Sequence, residues 1–207
     1  DIEDTNNVYE TSVDANDLYN YLGIAGGDTS SLISSVMVQK QDSGTGVKVK
    51  IITQSNITKI TSNQYANAAI TAGVSNVEID VASVSKVTGE SALTGVYKAL
   101  EANGETLDPD RTQVAQDELE TTNEIAQNNA DDSNFDSARL DQALVEIKQD
   151  LAQIKQNQGS AATTEQVEQV VQDALKKFNL SDIISQDDID KLIAFAKKYQ
   201  NTSAIDS

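Results

Sequence analysis

The chain has 207 residues, a formal net charge of −18, and neither cysteine nor histidine, which excludes thiol chemistry, disulfides, a Ser-His-Asp triad and imidazole-bound zinc. An acidic surface without a basic footprint repels nucleic acid and anionic lipid, and no run approaches the roughly 18 apolar residues that cross a bilayer. Hydrophobic residues make up 38% but aromatics only 4%, with no Trp, so the expected core is aliphatic and light.

Residues 1–7 are polar and read as a loose end. Val8–Val13 alternates and is rich in β-formers, which reads as a first strand. Asp14 then stands as an N-cap for a short helix over Ala15–Leu22, with Leu18, Tyr21 and Leu22 on its apolar face; Gly23 and the Gly26-Gly27 pair stop it. A second strand is expected at Ser34–Gln39, a hairpin loop at Gln41–Gly46 and a third strand at Val47–Thr53. In that third strand Val47, Val49 and Ile51 alternate with Lys48 and Lys50, so one face is wet. Thr61 with Gln64 forms a capping box before a helix over Ser62–Ala72. Val77–Val81 is a fourth strand, and a helix over Glu90–Ala102 follows, closed by Gly104. Asp108-Pro109 opens another helix that runs to about Gln127.

This order predicts an α+β domain over residues 1–127, with a split βαβ, ferredoxin-like sheet of about four strands and helices on one face. In that topology the third and fourth strands are not neighbours, so Lys48 and Lys50 need not meet Glu78 and Asp80. Residues 128–137 read as a linker by composition. Residues 138–207 carry no strand signal and read as an all-helical region of two to three amphipathic helices. Its first helix spaces Leu140, Leu144, Ile147, Leu151 and Ile154 as a short heptad seam. That seam offers either intramolecular packing or a surface for self-association or a partner.

Several stretches invite a chemical reading. Thr88-Gly89-Glu90-Ser91 precedes a helix and could cradle an anion, but it lacks the Lys and spacing of a phosphate loop and carries Glu90, so it reads better as tight strand–helix packing. Asp132, Asn134 and Asp136 fall at alternate positions of a calcium-loop pattern, yet Ser137 replaces the required Gly and Ala143 the closing Glu. Asp187, Asp188 and Asp190 start a helix and satisfy its dipole without a metal. Glu90 and Glu101 lie on one helix eleven residues apart, so they make no evident pair for glycoside cleavage. No catalytic residue is assigned, and no cofactor or metal is expected.

The run Val87-Thr88-Gly89-Glu90-Ser91-Ala92-Leu93-Thr94-Gly95-Val96-Tyr97-Lys98-Ala99 resembles the YpuA-like family, a domain of unknown function in secreted proteins of Gram-positive bacteria. Ser34-Ser35-Val36, the helix motif from Tyr65 to Gly73, and Ala115-Gln116-Asp117-Glu118-Leu119 agree with it, so the resemblance spans residues 8–127. It implies export, and it brings no assigned catalytic or binding residue. The chain opens on Asp1 rather than Met and lacks an early part of the family's pattern, as expected of a fragment or a matured form. The expectation is therefore a secreted or envelope-associated binding or structural module with a protein or cell-wall partner. The alternative is an extracellular carboxylate-based hydrolase acting on cell-wall glycan or peptide.

Overall fold

A computed structural model describes residues 12–22, 34–57, 59–84, 89 and 91–207. Along the chain these form helix α1 (Ala15–Leu22), strands β1 (Ser34–Lys40) and β2 (Val47–Ile51), helix α2 (Ser62–Thr71) and strand β3 (Val77–Ser83). Helices α3 (Ala92–Ala102), α4 (Pro109–Asn128), α5 (Ser137–Gln158), α6 (Thr164–Lys177) and α7 (Gln186–Gln200) follow, with a closing 3-10 turn at Ser203–Asp206. The molecule is α+β and helix-rich. The strand expected over Val8–Val13 falls mostly outside the described residues; Ser12 and Val13 are described and belong to no strand. Gly23, Gly26, Gly27, Thr88, Glu90 and the side chains of Leu18 and Leu22 also lie outside them.

Among the described residues the sheet has three strands, not four, in the order β1-β3-β2. It is mixed: β1 runs antiparallel to β3, and β2 runs parallel to it. This corrects the ferredoxin-like expectation, because the strands flanking Gln41–Gly46 do not form a hairpin. β3 lies between them, and the loop instead folds onto Asn76. The Gln41 amide donates to the Asn76 carbonyl at 2.7 Å, the Gly44 amide to Asn76 Oδ1 at 2.8 Å, and the Val77 amide to the Gly46 carbonyl at 3.1 Å. Asn76 tolerates the left-handed backbone (φ 53°) that this turn needs.

Burial explains the order. Val77, Ile79, Val81 and Ser83 are all buried, so β3 has the most to gain from the centre. β1 and β2 are only half-buried on their inner face and carry Lys40, Lys48 and Lys50, residues that suit edges. Against expectation, Lys48 stands opposite Glu78 and Lys50 opposite Asp80, and Lys50 forms an ion pair with Glu78.

The inner face of the sheet packs on Tyr65, Ala68, Ala69 and Ala72 of α2 and on Leu93, Val96, Tyr97 and Leu100 of α3. Small residues on α2 let it lie close, and Gly95 on α3 does the same against β1: a Cβ there would stand 2.7 Å from Val36 Cγ2. A second apolar cluster fills the helical region. Leu140, Leu144, Ile147 and Leu151 of α5 pack with Val167 and Val171 of α6 and with Leu192, Phe195 and Ala196 of α7. Those four seam residues are at most 1% exposed, and Ile154 is partly buried against the same cluster. Of the two expected uses of the seam, intramolecular packing is the one seen here: the chain's own helices cover it. Helix α4 belongs to both clusters, giving Ala115 and Leu119 to the first and Val114 and Ile125 to the second.

Candidate functional site

The outer face of the sheet is uncovered among the described residues. Ser35, Met37 and Gln39 of β1, Lys48 and Lys50 of β2, and the adjoining Ile52 are exposed, while Glu78, Asp80 and Ala82 of β3 are half-buried. Met37 is 40% exposed and Ile52 59%, unusual for large apolar side chains beside a sheet. The two lysines and two acids cancel, so this face is near neutral on a chain of charge −18.

A buried polar node sits where α2, α4 and α5 meet. Glu118 of α4 is 1% exposed and accepts from Lys148 Nζ of α5 at 2.9 Å through one oxygen and from the Thr71 hydroxyl of α2 through the other. Lys148 Nζ also donates to Thr71 Oγ1 at 3.2 Å. Two turns before Lys148 on α5, Asp141 is 5% exposed, and its Oδ1 has no hydrogen-bond partner among the described residues. Burial, then the Glu118 and Asp136 charges, push the Asp141 carboxyl up to about 7, with Lys148 opposing them. On the sheet side, burial first and Glu118 second push the Tyr97 phenol far above its ordinary value.

The stretches singled out by sequence turn out to serve structure. Gly89 adopts a left-handed backbone (φ 93°), and its carbonyl accepts from the Tyr65 hydroxyl. A Cβ at this position would collide with that hydroxyl and stand 2.9 Å from Ile57 Cγ2. Gly89 is thus a packing point, and Ser91 makes no side-chain cap. In the 131–136 stretch, Asp132 accepts from the Asn134 amide at 2.8 Å and Asp136 caps α5 by accepting from the Ala138 amide at 2.9 Å. At the start of α7, Asp188 is 2% exposed and accepts from Asn128 Nδ2 at 2.9 Å and Asn129 Nδ2 at 3.2 Å, tying α7 to the end of α4. Among the described residues no three acids converge as metal ligands.

Two shallow clefts are present. One is lined by Asn20, Tyr21, Glu101, Leu107, Pro109 and Thr112, where the Tyr21 hydroxyl donates to Glu101. The other, beside Ile57 and Ile60, holds no carboxylate. Neither brings two acids together, and Glu90 lies outside the described residues, so the pair weighed with Glu101 has no geometry here.

Reading the periodicity alone missed the node and the Asp188 anchor. The signal was present: Glu118 sits between Ala115 and Thr122 on the inner stripe of α4, and Lys148 follows Ile147 inside the α5 seam. A charged residue on an apolar stripe implies a buried partner.

No helix of the described residues is long and apolar enough to cross a membrane. No solved structure matches the chain. A curated relative, "Uncharacterized protein YpuA" of Bacillus subtilis (strain 168), is 32% identical over 169 residues, which is 81% of this chain and 52% of the relative. The chain thus spans about half the length of that relative. The family described as "Protein of unknown function (DUF1002)" matches residues 1–207. The chain belongs to this DUF1002, YpuA-like family, whose function is unknown.

Proposed function

We propose that the chain is a non-catalytic module of the secreted or cell-envelope compartment, and that it holds a protein partner on the outer face of its sheet. The observation that carries this is that face itself: Met37 and Ile52 stand exposed in a charge-balanced surface, while the inner face is packed. Its near-neutral character suits a protein segment lying across the strands better than a polyanionic wall polymer. Export is supported by the family resemblance and agrees with the absence of cysteine. The Glu118–Lys148–Thr71 node and Asp188, by contrast, are engaged in joining helices.

The test is co-purification from the producing cell's envelope with the wild-type chain and with Met37→Asp/Ile52→Asp. Support is a defined protein retained by the wild type and lost by the double variant, at unchanged melting temperature. Equal retention by both would sink the reading. Release of fragments from purified cell wall, abolished by Glu101→Gln, would replace it with the carboxylate-hydrolase alternative.

A further inference from the structure

We propose that Asp141 makes the junction of α2, α4 and α5 a proton-sensitive joint between the sheet side and the helical side of the molecule, tight when its carboxyl is protonated and looser when it ionises. This rests on the buried node and not on the docking surface.

The charge inventory of the junction carries the proposal. Glu118 of α4 is nearly inaccessible and takes both available donors, Lys148 Nζ and the Thr71 hydroxyl. Asp141, two turns before Lys148 on α5, has a buried oxygen with no hydrogen-bond partner among the described residues, and the Glu118 charge acts on it. Asp136, at the N-cap of α5, adds a third carboxylate acting on it. Lys148 is the cation of the set. Arg111, two turns before Glu118 on α4, is turned away: its guanidinium donates to the Thr71 carbonyl at 2.9 Å, the Ile70 carbonyl at 3.1 Å and Ser207 Oγ at 3.1 Å, closing the end of α2. Tyr97 of α3, on which the Glu118 charge also acts, is neutral, and its buried hydroxyl oxygen has no hydrogen-bond partner among the described residues. One ammonium cannot balance two buried carboxylates at low dielectric, so the unengaged one keeps its proton.

The consequence has a definite sign. The folded carboxyl titrates at about 7 against an ordinary 3.8. Between those values the folded chain holds a proton that the unfolded chain has released. Stability therefore falls as pH rises from about 4 to about 7 and stays at the lower level above that window. The joint is positioned to feel it, because Thr71 belongs to the sheet-side helix and Lys148 to the helical region.

The experiment uses the full chain and its Asp141→Asn variant. Carboxyl-carbon NMR titration of the wild type should show one aspartate with a midpoint near 7 that is missing from Asp141→Asn. Melting temperature should fall by about 5–10 °C between pH 5 and 8 in the wild type and stay nearly flat in the variant. Hydrogen exchange at pH 8, corrected for intrinsic rates, should be slower in the variant at α5 around Asp141 and at the end of α2. A wild-type midpoint below 5, or a variant with the same pH slope as the wild type, overturns the proposal. If Asp141→Asn is too unstable to study, Glu118→Gln supplies the second arm: removing that charge should lower the Asp141 midpoint, and no movement overturns the proposal.

Discussion

At Gly89 a single hydrogen atom in place of a side chain decides whether strand, turn and helix can meet. Gly89→Ala combines a left-handed backbone with a collision on the Tyr65 hydroxyl. We expect a loss of about 2–4 kcal/mol by urea denaturation. Gly89→Ala/Tyr65→Phe should recover part of it, since the double variant removes the atom that collides; strict additivity would contradict this geometry. The node gives the second prediction at this scale. Lys148→Met strands the buried Glu118 carboxylate and should cost about 3–5 kcal/mol, whereas Lys148→Met/Glu118→Gln should restore much of that. An equal loss in the two variants would show that Lys148 matters through packing alone.

At the scale of elements, the helices announce themselves through their ends. Thr61 with Gln64 and Thr163 with Gln166 form complete capping boxes, Asp108 caps α4 ahead of Pro109, and Ser185 caps α7. These are local rules, so the sequence could be read for them directly, and the helix boundaries agree within about two residues. Thr163→Ala should cost about 1 kcal/mol and speed exchange in the first turn of α6 without altering α2. Strand pairing is not local, and there the pattern points to the wrong neighbour. Lys48 and Lys50 carry the same spacing as Glu78 and Asp80, and parallel register sets them opposite each other. That complementarity was legible, but a six-residue, glycine-bearing loop favoured the hairpin, and loop chemistry alone does not say whether a third strand enters the gap. The α5 seam shows the same limit: a heptad pattern states that Leu140, Leu144, Ile147 and Leu151 must be covered, but not by which helix. Neither Glu118 nor Lys148 reads as a pair from sequence, because their partners lie on different helices.

Across the whole molecule, two apolar clusters share α4, and the buried node lies between them. We propose that residues 1–127 and 138–207 nevertheless unfold together, because a cut near residue 130 would strip Val114 and Ile125 from the helical cluster. Calorimetry should give one transition with equal calorimetric and van't Hoff enthalpies; two separated transitions would contradict the sharing. The charge of −18 acts at this scale as well. Self-repulsion among surface acids should outweigh the exposed ion pairs, so melting temperature should rise as salt goes from about 0.01 to about 1 M, where the screening length shrinks from ~30 to ~3 Å. A fall would mean that the surface pairs, such as Lys198 with Asp117 and Lys155 with Asp206, dominate instead.

The central place of β3 also sets the order of events in time. A hairpin would let β1 and β2 pair as soon as the loop between them formed. Here, among the described residues, neither strand has a sheet partner until the chain has continued through α2 to residues 77–83. As the chain is made or emerges from its N-terminus, β1 and β2 wait, with their lysines as guards, for a keystone that arrives some thirty residues later. Closure of the sheet is therefore a late, non-local step that should limit the folding rate.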